Sequence, residues 1–228
     1  MDDTPACEGI ITIPAVQAHT ATVIFIHGYN KSNLTYQALV AESIAPSLPH
    51  VQWIFPQASK HQTTYHPEGP CPAWFDIEEL PPRADEYDEQ AISKSIGAIE
   101  ELIQSQIHQG MDSRRIVLAG FSQGAALSMM VALQTRHHLG GLASLSGWIP
   151  PRARSSMMNS TQRCPILWCH GTADTEIPIA LAEDGIAFLR DTIEQKETLR
   201  FIRYDGLEHT TNDAELKDLG AWLQTVIR

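Results

Sequence analysis

"LAGFSQGAA", residues 118–126, sets a serine between two glycines directly after an apolar run. Val117, Leu118 and Ala119 read as the end of a buried strand. Ala125, Ala126, Leu127, Met129, Met130 and Leu133 read as the apolar face of the helix that follows. A serine at that junction occupies a very tight turn, where a side chain two residues away on either side would collide. Gly120 and Gly124 remove those side chains. The pattern G-x-S-x-G between strand and helix is the nucleophile elbow, which holds a hydroxyl up at the end of a sheet. It marks Ser122 as the candidate nucleophile and places a strand-to-helix junction there.

Outward from the elbow, short apolar strands alternate with longer helical stretches. Strands are predicted at 10–13, 22–26, 51–55, 115–119, 142–145, 165–169 and 199–204, and helices at 35–45, 88–109, 122–138, 179–195 and 214–227. Ile92, Ile96, Ile99 and Ile103 recur in steps of four, three and four, one face of a helix, with Asp88 as its N-cap and Gly110 as its stop. Continuously apolar strands such as VIFI and IVLA suit a sheet covered on both faces. Alternating β and α then implies a mostly parallel sheet with right-handed crossovers. The expected fold is α/β, doubly wound, in one domain over residues 1–228. Residues 56–86 break the rhythm with six prolines and no clean periodicity. A segment of that kind after a strand is expected to emerge beside the elbow as a lid-like wall of the site.

Composition narrows the partners. Sixteen basic against 27 acidic residues give a net charge of −11, which argues against nucleic acid and anionic membrane surfaces. No stretch approaches 18 apolar residues, so no transmembrane helix is expected. The N-terminal MDDTPACEGIITIP lacks a basic region before an apolar one, so a secretory signal is not expected and the cytoplasm is the default location. The four cysteines show no C-x-x-C spacing, and Cys164 and Cys169 read as small buried thiols. Ten histidines include no H-E-x-x-H, so neither metal nor cofactor is expected. The adjacent His137 and His138 read as charges at a helix C-terminus.

A serine hydroxyl needs an adjacent base, and in sheets with such an elbow the partners follow as acid, then histidine, on loops after later strands. After ILWCHG comes Asp174, and after LRFIRY comes His209. His209 would take the Ser122 proton, and Asp174 would fix the imidazole tautomer. Asp205 and Glu208 are rivals for the acid, but they lie too near His209 on the same loop. Oxyanion donors are expected from the backbone N–H of Gln123, just after the nucleophile, and of Tyr29 in FIHGYN, where Gly28 lets the chain turn. For Gln123 only the main chain is assigned a role, so removing its side chain in Gln123→Ala is expected to cost a modest loss, about tenfold or less.

FIHGYN, FPQAS, AWFDIEEL, RRIVLAGFSQGAALS, LSGWIP, ILWCHGTADTEIP and YDGLEHTTN together span nearly the whole chain. On these stretches the sequence resembles the acyl-protein thioesterase and carboxylesterase branch of the α/β-hydrolase superfamily. The resemblance implies a triad of Ser122, Asp174 and His209, oxyanion amides from Tyr29 and Gln123, and hydrolysis of thioesters or oxyesters without a cofactor. It further implies a substrate channel lined by the loop before Trp74, with Trp74 and Phe75 as substrate-binding residues. The substrate would be an acylated protein or a small-molecule ester or thioester, with at most transient membrane contact. Where the family commonly reads H-G-x-G-D, this chain has His27-Gly28-Tyr29-Asn30-Lys31, which adds bulk at the mouth. The stretch HQTTYHPEGP is polar where lipid-handling members are more apolar, and the nearest thiol to the N-terminus is Cys7. A binding module that uses the same pocket without turnover is the competing class, and the intact triad argues against it.

Overall fold

The computed structural model describes residues 6–158, 164–193 and 196–227. Nine strands are seen among them: β1 (Cys7–Ile13), β2 (Ala21–Ile26), β3 (Val51–Ala58), β4 (Lys60–His61), β5 (Cys71–Pro72), β6 (Ile116–Phe121), β7 (Gly141–Leu145), β8 (Ile166–Gly171) and β9 (Leu199–Tyr204). The helices are α1 (Asn33–Ser43), α2 (Glu89–His108), α3 (Gln123–Gln134), α4 (Arg154–Met157), α5 (Ile179–Thr192) and α6 (Asp213–Val226). Seven strands form one sheet in the order β1-β3-β2-β6-β7-β8-β9. Every pairing in it is parallel except that of the edge strand β1 with β3. The expected mostly parallel α/β sheet is the observed one.

Alternation along each strand builds two cores. Ile24 and Ile26 of β2, Ile116 and Leu118 of β6, and Trp168 of β8 pack with α2, α3 and α5 on one face. Val23 and Phe25, Val117 and Phe121, and Leu167 and Cys169 pack with α1 and α6 on the other. Eleven residues of α3, Gln123 through Leu133, are buried, so this helix is enclosed on all sides and anchors the elbow rigidly.

Several boundaries move for local reasons. β6 runs to Phe121, the residue before Ser122, and Arg115 falls in a 3-10 turn. α1 starts earlier than predicted because Ser32 caps it, its Oγ accepting from the Leu34 N–H at 3.2 Å. The Asp88 cap is present, with the Ala91 N–H at 3.1 Å, and Gly110 adopts a φ of 96° after α2. On α2, Ile92, Ile99 and Ile103 are buried and Ile96 packs half-buried against the same core, while Ser95 joins the stripe and its hydroxyl bonds the Trp74 carbonyl. The helix predicted over 122–138 stops at Gln134, where Thr135 turns extended. His137 and His138 therefore lie beyond α3 and are not its C-terminal charges. α5 ends at Thr192, and residues 194–195 of the predicted helix lie outside the described residues. Cys164 and Cys169 are buried, and burial pushes both thiols up, so they pack as small apolar groups.

One packing choice has a pH signature. Glu215, in the first turn of α6, has its N–H capped by Asn212 at 2.9 Å while its carboxyl turns into the core. The residue is wholly buried, and neither carboxyl oxygen has a hydrogen-bond partner among the described residues. Tyr36, Cys169 and Asp174 are the titratable groups that feel its charge. Burial, with Asp174 adding to it, pushes the Glu215 carboxyl up to about 8. The folded chain thus holds a proton that the unfolded chain releases from about pH 4.3. Stability from this group is full below that pH and is lost as pH rises through about 8. Glu215→Gln removes the titration. It is expected to gain on wild type by about 4 kcal/mol on going from pH 5 to pH 9. Thermal or urea melts at both pH values check this, and parallel pH dependence in the two proteins would contradict it.

Candidate active site

Ser122 sits between β6 and α3 with φ 53° and ψ −121°, a left-handed φ that side chains rarely adopt. The strain is held by a lattice of main-chain bonds. The Ser122 N–H donates to the Leu145 carbonyl at 2.9 Å, and the Ser122 carbonyl accepts from Ala125 and Ala126 at 2.9 and 3.0 Å. The flanking glycines are needed for space. A Cβ on Gly120 would lie 2.4 Å from the Gly124 carbonyl, and one on Gly124 would lie 2.2 Å from the Ile26 carbonyl oxygen. One glycine lets the strand meet the helix start, and the other lets the helix start meet the end of β2.

The loops after β8 and β9 are stitched to one another. The Thr172 N–H donates to the Tyr204 carbonyl at 2.9 Å and the Ala173 N–H to the Leu207 carbonyl at 3.0 Å. A Cβ on Gly171 would lie 2.1 Å from the Leu207 oxygen, so the loops meet at this distance only because residue 171 is glycine. That crossing brings Asp174 and His209 together. His209 Nδ1 lies 2.7 Å from Asp174 Oδ2, and His209 Nε2 lies 2.9 Å from Ser122 Oγ. A carboxylate can only accept, so Nδ1 carries the proton and Nε2 is left to accept from the serine hydroxyl. The Phe121 ring, 4.9 Å from the His209 ring, supports it from below. Ser122 keeps 7% exposure, while the Asp174 side chain has none. The rivals are elsewhere: Asp205 accepts from the Thr172 hydroxyl at 3.1 Å, and Glu208 is exposed.

Gly28 closes on the nucleophile, where an added Cβ would stand 3.2 Å from Ser122 Cβ. Among the described residues no protein acceptor takes the N–H of Tyr29 or of Gln123. The Tyr29 amide is aimed by a residue that sequence reasoning passed over. His27 is wholly buried, and its Nε2 accepts from the Ala58 N–H at 2.9 Å. Its proton is therefore on Nδ1, which donates to the Gly28 carbonyl at 2.7 Å. That carbonyl and the Tyr29 N–H belong to one planar peptide, so holding the oxygen fixes the N–H. Burial pushes the His27 imidazole down to about 4, which keeps it neutral for this task.

The segment predicted as a lid is tied down. β3 continues to Ala58, and β4 and β5 pair as a short hairpin. The Asn30 N–H donates to the Pro72 carbonyl at 2.8 Å, and the Tyr29 hydroxyl meets the Thr63 hydroxyl. Trp74 and Phe75, expected to bind substrate, are 1% and 4% exposed and offer a ligand almost no surface. They are supports instead. Trp74 Nε1 donates to the His27 carbonyl at 2.9 Å, and Phe75 stands edge-on to Trp148 at 6.2 Å. The Gln123 side chain, to which the sequence assigns no role, is also buried and bonded. It accepts from the Trp74 N–H at 2.9 Å and donates to the Phe75 carbonyl at 2.8 Å. No sequence signal marked these contacts, because each joins residues more than twenty positions apart.

A serine hydroxyl bonded to an imidazole, with a buried carboxylate behind it and two nearby N–H groups that have no protein acceptor among the described residues, can attack a carbonyl and stabilise the oxyanion that results. No group of three or more His, Cys, Asp or Glu suited to a metal ion occurs among the described residues.

Comparison with known proteins agrees with this geometry. The phospholipase/carboxylesterase family model matches residues 8–227. The chain is 34% identical to acyl-protein thioesterase 1 of Yarrowia lipolytica, covering 96% of this chain and 97% of that one. It is 32% identical to acyl-protein thioesterase 1 of Cryptococcus neoformans, again over 96% and 97% of the two chains. The crystal structure of Arabidopsis thaliana SOBER1 superposes with a TM-score of 0.82 at 27% identity, covering 91% of this chain and 99% of that one. With the elbow, the sheet order and this full-length match in agreement, the chain belongs to the phospholipase/carboxylesterase family of α/β-hydrolases and is an ester hydrolase.

Proposed function

We propose that the chain is a cytoplasmic, single-domain hydrolase of acyl thioesters and oxyesters that works through an acyl-Ser122 intermediate. The unbroken line of hydrogen bonds from Ser122 through His209 to Asp174 carries this reading. As Ser122 Oγ bonds the substrate carbonyl carbon, its proton passes to His209 Nε2. The carbonyl oxygen becomes an oxyanion facing the Tyr29 and Gln123 N–H groups, each worth about 3 kcal/mol in such a position. Collapse breaks the C–S or C–O bond, and His209 returns the proton to the leaving thiol or alcohol. Water then repeats the sequence on the acyl-serine and frees the acid. Asp174 keeps His209 in the one tautomer that can do both.

The relatives named acyl-protein thioesterase support an S-acylated protein as substrate. A small-molecule esterase, thioesterase or lactonase is the second reading, favoured by the polar character of the stretch HQTTYHPEGP, residues 61–70. A buried methylene contributes about 0.8 kcal/mol only against apolar surface. A panel of acyl thioesters and oxyesters of rising chain length is therefore expected to give the highest kcat/KM at short to medium chains. A steady climb to sixteen carbons would overturn the short-chain preference and favour lipidated protein. A fluorophosphonate probe tests the chemistry itself, with labelling expected at Ser122. Well-folded wild type that takes no label would be a binding protein instead.

A further inference from the structure

β8 carries a second histidine, His170, directly before the turn that presents Asp174, and the mechanism above leaves it unused. The residue is wholly buried. Its Nε2 lies 2.7 Å from the Ile177 carbonyl oxygen and 3.5 Å from Asp174 Oδ2. A carbonyl can only accept, so Nε2 carries the ring proton. The same turn returns the Ile177 and Glu176 N–H groups to Asp174 Oδ1 at 2.8 and 3.1 Å. One carboxyl oxygen is thus held by main-chain amides, while the other lies between two imidazoles.

We propose that His170 is a positioning residue for Asp174. Its Nε2–H closes the 171–177 turn through the Ile177 carbonyl and faces Asp174 Oδ2, so that the carboxylate meets His209 in a single orientation. The inference rests on the triad reading given above. A neutral ring suits the role. Burial lowers the His170 pKa, so the ring meets the carboxylate with a dipole and leaves its full negative charge to His209. The other titratable groups near the pair are His209 itself, Glu176, whose Oε2 lies 3.8 Å from His209 Nε2, and Glu215 from α6.

Three replacements separate positioning from space-filling. A glutamine amide nitrogen reaches the place of imidazole Nε2, whereas asparagine reaches only that of Nδ1, and leucine supplies bulk without a donor. His170→Gln is expected to stay within about threefold of wild-type kcat on a short-chain p-nitrophenyl ester. His170→Asn and His170→Leu are expected to lose about 10- to 100-fold in kcat, the scale of a sub-ångström to 1 Å misplacement, with KM changed less than about twofold. Thermal melts accompany each assay. A glutamine variant as impaired as the asparagine variant would overturn the proposal, because both put an amide in the same buried site and only the donor's reach differs. Wild-type kcat in His170→Asn would overturn it as well. Asp174→Ala, assayed alongside, keeps the two readings apart. If Asp174→Ala retains turnover, the triad reading has failed. If it is inactive while His170→Asn matches wild type, only this inference has.

Discussion

Ser122→Ala is expected to lower kcat by about 10⁴-fold or more, with His209→Ala close to it and Asp174→Ala somewhat milder. The reason is geometric. Ser122 Oγ and His209 Nε2 stand 2.9 Å apart, and His209 Nδ1 and Asp174 Oδ2 stand 2.7 Å apart, so each group is useful only through the next. Once the nucleophile is gone, a base has nothing to deprotonate. The Ser122→Ala/His209→Ala double variant is therefore expected to be no worse than Ser122→Ala alone. The fold is expected to persist, because the elbow is held by main-chain bonds from Ser122 to Leu145, Ala125 and Ala126 that alanine can also make. The Tyr29 and Gln123 amides remain as well, so KM should change far less than kcat. Asp205→Ala should behave like wild type, since that carboxylate meets only the Thr172 hydroxyl among the contacts described. Steady-state kinetics with thermal melts of all four single variants checks the assignment. Turnover retained in Asp174→Ala but lost in Asp205→Ala would reverse the choice of acid.

What the sequence made legible is whatever depends on order along the chain. Alternating apolar runs gave the sheet, and G-x-S-x-G gave the elbow. Asp174 and His209 stood out because each follows a strand end in the order that such sheets require. The supports were not legible in that way. His27 shows its role only once Ala58 and Gly28 are placed on either side of its ring. His170 reads as one more histidine until the turn from 171 to 177 folds back over it. Trp74 and Phe75 are expected to bind substrate only on the family resemblance, which carries no information about how far each ring is buried. Their backbone groups and the Trp74 indole N–H instead needed buried partners, and Gln123 and His27 supplied them. The helix end at Gln134 was missed for a related reason, since nothing between residues 135 and 139 is a strong stop such as glycine or proline.

Gly124→Val is expected to cost more than about 100-fold in kcat and to lower thermal stability, although valine at that position touches no reacting atom. Even a bare Cβ there would stand 2.2 Å from the Ile26 oxygen and 2.5 Å from the His27 oxygen. Both are backbone atoms at the end of β2, so no rotamer change relieves the contact. Relief requires the start of α3 to withdraw by about 1 Å, and that movement carries Ser122 and the Gln123 amide away from Tyr29. Valine's two methyl groups enlarge the displacement. Gln123→Ala makes an instructive contrast, because it keeps the main-chain amide and the elbow's conformation. It strips the Trp74 N–H and the Phe75 carbonyl of their buried partner, at about 1–3 kcal/mol for each group left unpaired. The loss should appear first as a lower melting temperature and then as a loosened 57–76 segment, with kcat down by about tenfold or somewhat more. Gly124→Val should therefore be the worse of the two in kcat, with Gln123→Ala well short of neutral. Kinetics and melts of both variants decide the matter. If Gln123→Ala is the more damaging to kcat while melting like wild type, its amide must act on the substrate directly, and the assignment of the oxyanion donor to the main chain fails.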